Sequence, residues 1–231
     1  MSIRERLDIS AFLVIGQENC VQPVEEIVAA AVDEGFTCVQ LRSKVSSARE
    51  MIVTLEKCAA QIRRLGKSDS VALLVDDRLD VVLAARERDI KVDGVHVGQS
   101  DIPVDVCRKF LGENSIVGLS ARTQDLIDYV QTADVSQIDY FGAGPLHETP
   151  TKVDCGRTDD GRIITHDFAE FAKLAEVSPR PVVVGGGVKL KDIPALAATK
   201  VNGFFVVSAV TGAENPRLAA RELVTAWRKF S

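Results

Sequence analysis

The sequence predicts a closed (β/α)8 barrel, and three observations predict it. First, eight short apolar runs punctuate the chain, at residues 11–15, 38–41, 72–75, 94–97, 116–119, 140–143, 181–184 and 203–207. Several are Val-rich and most are apolar throughout, as strands buried on both faces should be. Second, amphipathic stretches with helical spacing lie between them, so strand and helix alternate. Third, eight such units in 231 residues give about 29 residues each, a compact repeat that suits a barrel. A doubly wound open sheet usually stops at about five or six strands and often carries GxGxxG after the first. Here Gly16-Gln17-Glu18-Asn19 follows the first run instead.

The helical segments carry their own boundaries. Pro23 stands at a first-turn position of the stretch 23–34, and Gly35 stops it. Met51, Leu55, Cys58, Ile62 and Leu65 recur at steps of three or four and end before Gly66. Segments 79–88, 104–111, 125–132, 167–174, 190–199 and 216–230 complete the set, with Trp227 and Phe230 expected to pack the last one onto the barrel. No linker or composition shift divides residues 1–231, so one domain is expected. The irregular stretch is 144–165, polar and charged, and it reads as a long loop.

Composition narrows the function classes. The chain is 46% hydrophobic, too apolar for a disordered protein, and only 5% aromatic, which suits helices packed on buried strands. A net charge of −5 argues against a general nucleic-acid binder, whose affinity comes from a basic surface. The five cysteines are scattered and form no CxxC pair, so buried free thiols in a reducing compartment are expected. The charged start Ser2-Ile3-Arg4-Glu5-Arg6 is unlike a signal peptide, and no window approaches the ~18–20 apolar residues of a membrane span. A cytoplasmic protein with small-molecule partners is expected, without nucleic acid or membrane; a homo-oligomer is compatible with this.

In such a barrel, chemistry sits where strands end and loops begin. The second strand runs into Gln40-Leu41-Arg42-Ser43-Lys44, and period-two alternation sends Gln40, Arg42 and Lys44 to one side. Asp76-Asp77-Arg78 follows the third, and His96 to Asp101 closes the fourth. Ser120-Ala121-Arg122 follows the fifth, and the sixth leads to Thr149, Thr151 and Lys152. The seventh ends in Gly185, Gly186 and Gly187, and the eighth in Val207 and Ser208. Asp76, Asp77 and Asp101 are hard oxygen donors that suit Mg²⁺ shared with a substrate phosphate. Arg42, Lys44, Arg122 and Lys152 supply the donors a polyanion needs. The glycines, leading into a helix, offer bare amides and a positive helix end for a second phosphate. Each piece also has a plainer reading: a helix cap at Asp77-Arg78, a glycine turn, a hydrogen-bonded wall residue at His96, an ion network around Arg42. Their joint placement at one barrel end weakens those readings.

The ordered set Gln40-Leu41-Arg42-Ser43-Lys44, Asp77-Arg78, Asp93 to Asp101, Gly118-Leu119-Ser120, Gly144-Pro145 with Thr149-Pro150-Thr151-Lys152, Gly186-Gly187 and Val207-Ser208-Ala209 resembles the thiamine phosphate synthase family over nearly the whole chain. The resemblance implies a (β/α)8 barrel joining hydroxymethylpyrimidine diphosphate to hydroxyethylthiazole phosphate, with Mg²⁺ required. It implies Mg²⁺ on Asp77 and Asp101. It implies diphosphate on Arg42, Lys44, Ser120 and Lys152, and aminopyrimidine on Gln40 and Asp76. Thr149, Thr151, Gly186, Gly187, Val207 and Ser208 would surround the thiazole phosphate, and His96 and Arg122 would also meet substrate.

Three departures stand out. Asp76 replaces the family's usual Asn, Arg122 stands where the family often has His, and 153–165 is longer and more charged than usual. Rival readings are the related thiazole tautomerase, a non-catalytic barrel that binds a phosphate ligand, and a Schiff-base aldolase using Lys44.

Overall fold

The alternation of buried runs and amphipathic stretches closes into a barrel in the computed structural model, which describes residues 2–121, 123–148 and 164–231. The strands are β1 (Ala11–Ile15), β2 (Cys38–Leu41), β3 (Ala72–Asp76), β4 (Gly94–Val97), β5 (Ile116–Ser120), β6 (Tyr140–Ala143), β7 (Val182–Val184) and β8 (Gly203–Val206). All pair in parallel in chain order, and β8 pairs back onto β1. The helices are α1 (Val24–Asp33), α2 (Ala48–Arg64), α3 (Leu79–Arg86), α4 (Val104–Leu111), α5 (Thr123–Thr132), α6 (Phe168–Val177), α7 (Ile193–Ala198), α8 (Ser208–Thr211) and α9 (Pro216–Phe230).

Strand parity splits the core in two. Outward residues such as Leu13, Val39, Leu73, Val95, Val117 and Phe141 meet the helices in the larger apolar cluster. Inward residues fill the barrel: Phe12, Val14, Cys38, Ala72, Leu74, Ile116, Tyr140 and Val183 form the second cluster, with Phe205 and Val207 against it. Because both strand faces are dry, the runs read as continuously apolar and not as alternating ones. At the N-terminal end of the barrel Ile3 and Leu7 pack against this inner cluster. Arg4, Asp139 and Arg108 link that end by ion pairs at 2.6 and 2.8 Å. Among the described residues, polar side chains enter the interior toward the other end, at Gln40, Asp76, His96 and Ser120.

Three expectations are corrected. The segment 190–199 is not one helix. A 3-10 turn at Leu190–Asp192 precedes the six-residue α7, and Pro194, in the first turn of α7, offers no N–H to extend a helix backwards. No helix starts at the glycine turn itself. The short helix near that end is α8, directly after β8. The 3-10 turn at Gln17–Asn19 was also unanticipated, being too short to show periodicity. Trp227 is buried against Phe204, with ring centroids 5.5 Å apart, but Phe230, the last residue of α9, is 45% exposed. The described cysteines Cys20, Cys38, Cys58 and Cys107 are free. No described helix is long and apolar enough to cross a membrane. Most of the loop expected over 144–165 lies outside the described residues.

Candidate active site

The C-terminal ends of the strands surround a cavity of about 1180 Å³, its open mouth included. From β2 and its loop come Gln40, Arg42 and Lys44, all lining the cavity as alternation predicts. Asp76 and Asp77 both line it too, although neighbours in a strand point to opposite faces. Asp77 departs from the strand with φ of 60°, the left-handed region that Asp tolerates better than most residues, and its N–H donates to the His96 carbonyl at 2.7 Å. That turn brings two consecutive carboxylates to one side.

The charges interlock. Asp76, buried, accepts from Gln40 Nε2 at 2.5 Å and faces Arg42 Nε at 3.0 Å. Lys44 Nζ hydrogen-bonds the carboxylate of Asp77. Asp101 is held by the Gly98 N–H at 2.8 Å and hydrogen-bonds Asp77. Burial alone would push Asp77 up, but Lys44 and the bond to Asp101 outweigh it, and its carboxyl lies below the ordinary range. Asp101 moves the other way: burial raises it, the Gly98 amide opposes this, and the neighbouring Asp77 adds to the rise. Two carboxylates this close need a proton or a cation between them. Lys44 is lowered by burial and raised more strongly by Asp77, so it stays an ammonium. A Schiff-base lysine needs the opposite shift, which removes the aldolase reading.

Ser120 ends β5 and lines the cavity beside His96, with Gly142 opposite. A Cβ at Gly142 would stand 3.1 Å from His96 Cε1 and 3.4 Å from Ser120 Cβ, so glycine gives these side chains their room. On the far side Gly186 and Gly187 adopt φ of 78° and 76°, which favours glycine. Gly185 N–H donates to Ala143 at 3.1 Å, so the expected row of three bare amides is shortened to Gly186 and Gly187, which meet no backbone carbonyl among the described residues. The loop after β6 is stapled to this turn. Leu146 and His147 N–H donate to the Gly185 and Gly186 carbonyls, and His147 Nε2 meets Asp192 Oδ2 at 2.9 Å. Val207 and Ser208 complete the wall at the start of α8.

Sequence reasoning placed these residues at one end but missed the floor, which is Phe12, Tyr140 and Phe205. Strand parity could have found them, because they share inward parity with the cavity-lining Val14, Gly142 and Val207 two positions on. Arg122, Thr149, Thr151 and Lys152 lie outside the described residues.

A family model described as thiamine monophosphate synthase matches residues 11–210. The chain belongs to the thiamine monophosphate synthase family. Among its curated relatives in that family, the thiamine-phosphate synthase of Corynebacterium efficiens is 38% identical over 96% of this chain and 97% of its own. That of Vibrio parahaemolyticus is 35% identical over 93% and 96%. Among solved structures, a thiamine phosphate pyrophosphorylase from Pyrococcus furiosus superimposes with a TM-score of 0.77 at 27% identity, covering 99% of this chain and 98% of that one. A 3-hexulose-6-phosphate synthase reaches 0.63 at 16% identity over 94% and 99%, a likeness of fold. The barrel is thus common ground between this chain and the Pyrococcus furiosus structure.

Proposed function

We propose that the chain joins hydroxymethylpyrimidine diphosphate to hydroxyethylthiazole phosphate at this cavity, forming thiamine phosphate and releasing pyrophosphate. Its membership of the family supports the reaction. The observation that carries the site is the meeting of Arg42 and Lys44 with the Asp77–Asp101 pair at the mouth of a cavity with an apolar floor.

The leaving group is a polyanion, and charge grows on it as the methylene C–O bond breaks. Arg42 and Lys44 hold that diphosphate with preorganised donors, joined by the Ser120 hydroxyl and Lys152. Gln40, with its amide nitrogen committed to Asp76, turns its carbonyl oxygen toward the aminopyrimidine. The electron-rich aminopyrimidine carries the positive charge left on the methylene. Gly186, Gly187 and Ser208, with Thr149 and Thr151, anchor the thiazole phosphate, so that the thiazole nitrogen stands ready to attack; positioning replaces a protein nucleophile. His96, which lines the cavity, and Arg122 are assigned to substrate binding.

Asp77 and Asp101 suit Mg²⁺. Among the described residues no cluster of three or more His, Cys, Asp or Glu could hold a metal. Two carboxylates completed by water and substrate phosphate are, however, the usual magnesium set. Asp77 is held below and Asp101 above the ordinary carboxylate range by their mutual contact, which marks where a cation would relieve their repulsion. Bound there, Mg²⁺ would neutralise charge on the departing pyrophosphate.

The test is incubation with both substrates, with and without Mg²⁺, followed by chromatography for thiamine phosphate and pyrophosphate. Product is expected only with the metal, and Asp77→Ala and Lys152→Ala should each lower turnover at least roughly a hundredfold. Folded protein without product, or two variants with normal rates, would refute the assignment.

A further inference from the structure

We infer that Tyr140 is a positioning residue that fixes the tautomer of His96 and so sets a hydrogen-bond donor into the cavity; this rests on the reading of that cavity as the substrate site. The geometry begins with register. His96 on β4 pairs with Gly118 on β5, and Gly118 pairs with Tyr140 on β6, so the three occupy one layer of the barrel. A Cβ at Gly118 would collide with the phenol ring and its hydroxyl. The glycine is therefore the gap through which Tyr140 reaches across β5 to His96. The phenol oxygen lies 2.8 Å from His96 Nδ1, and the two rings tilt 32° with centroids 5.4 Å apart.

Burial decides which atom donates. Tyr140 is fully buried, and its hydroxyl proton must find an acceptor, because a buried unsatisfied O–H is costly. Among the described residues that acceptor is His96 Nδ1. Were Nδ1 to carry the hydrogen, phenol and imidazole would both present protons and the Tyr140 O–H would be stranded. With Nδ1 accepting, the ring hydrogen resides on Nε2. His96 lines the cavity with Ser120 and Gly142 beside it, so its Nε2–H adds a polar edge to the cavity wall, suited to a substrate acceptor such as a ring nitrogen or an ester oxygen. An N–H on that edge is complementary to the Gln40 carbonyl, which accepts.

The experiment labels histidine with ¹⁵N in the full chain and reads long-range ¹H–¹⁵N correlations in the absence of substrate. The three histidines His96, His147 and His166 are assigned by single substitution. His96 is expected as the Nε2–H tautomer, and Tyr140→Phe should erase or mix that signature. In parallel, Tyr140→Phe should lower kcat about five- to tenfold while KM for the thiazole phosphate stays within about twofold, in line with one lost hydrogen bond. The control is His96→Gln, whose amide N–H₂ donates without any tautomer to fix. Adding Tyr140→Phe to it should then cost nothing further in kcat. An Nδ1–H signal in the parent protein, or an equal kcat loss in both backgrounds, overturns the inference, because a merely structural tyrosine would cost the same in each. If the parent makes no thiamine phosphate the functional reading fails, and the tautomer signal still decides this one by itself.

Discussion

Asp76 shows how one side chain can hold a site together and tax it at once. It orients Gln40 and Arg42, yet it places a negative charge beside the groups that would receive a diphosphate. Asn at this position would keep an acceptor for Gln40 and remove the charge. Interaction of unit charges in a partly buried site is of the order of 1 kcal/mol or more at these separations. Asp76→Asn should therefore tighten pyrophosphate binding roughly three- to tenfold, read by titration calorimetry in the presence of Mg²⁺. Weaker binding in the variant would mean that holding Arg42 in place outweighs the repulsion. The sequence made Asp76 conspicuous as a departure, but not its partners. Only the β2–β3 register, which sets Gln40 beside Leu74 and one step below Asp76, brings the two polar side chains together.

At the scale of elements, legibility followed burial. The strands stood out because both faces are apolar, and α2 because of its apolar stripe, to which the structure adds a capping box at Ser47 and Glu50. The turn at Gln17–Asn19 and the helix α8 were invisible, since three or four residues complete no period. The pairing of first and last helices was equally hidden, being a matter of charges 183 and 187 positions apart. Glu34, capping α1, accepts from Arg221 at 2.8 Å and from Arg217 at 2.9 Å on α9. The Arg221 hydrogen bond leads in holding its carboxyl down to about 2, with Arg217 adding to it and burial opposing. A depressed folded value means that the unfolded chain takes up the proton first. The contribution is then complete above the ordinary glutamate range near ~4.3 and fades as pH falls toward about 2. Glu34→Gln should lower Tm at pH 7, and the gap from the parent should close progressively between those values. A gap independent of pH in thermal melts would show that packing, and not charge, joins α1 to α9.

For the whole molecule, the question is how an acidic chain collects a polyanion. The formal charge is −5, yet Arg42 and Lys44 stand at the cavity while their partners Asp76, Asp77 and Asp101 leave it close to balanced until a cation arrives. Pyrophosphate alone would meet both arginine and lysine donors and repelling carboxylates. Mg²⁺ alone would meet two carboxylates, one of them raised above its ordinary range by the other. Together, each ligand supplies what the other lacks: the metal covers the carboxylates, and the diphosphate oxygens complete the metal's shell. Binding to the folded barrel stabilises it by mass action, about 2.7 kcal/mol at a hundredfold excess over Kd. In a chain of this size each kcal/mol raises Tm by about 2–4 °C, so saturating both ligands should shift the melt by roughly 5–10 °C. Either ligand alone should give less than half of that, and Asp101→Asn should remove the excess over the separate shifts. Scanning fluorimetry with Mg²⁺, with pyrophosphate and with both reads the three values directly. Shifts that merely add would place the metal away from the anion and detach Asp77 and Asp101 from the diphosphate, while synergy would show that net charge conceals a site built to be completed by its own ligands.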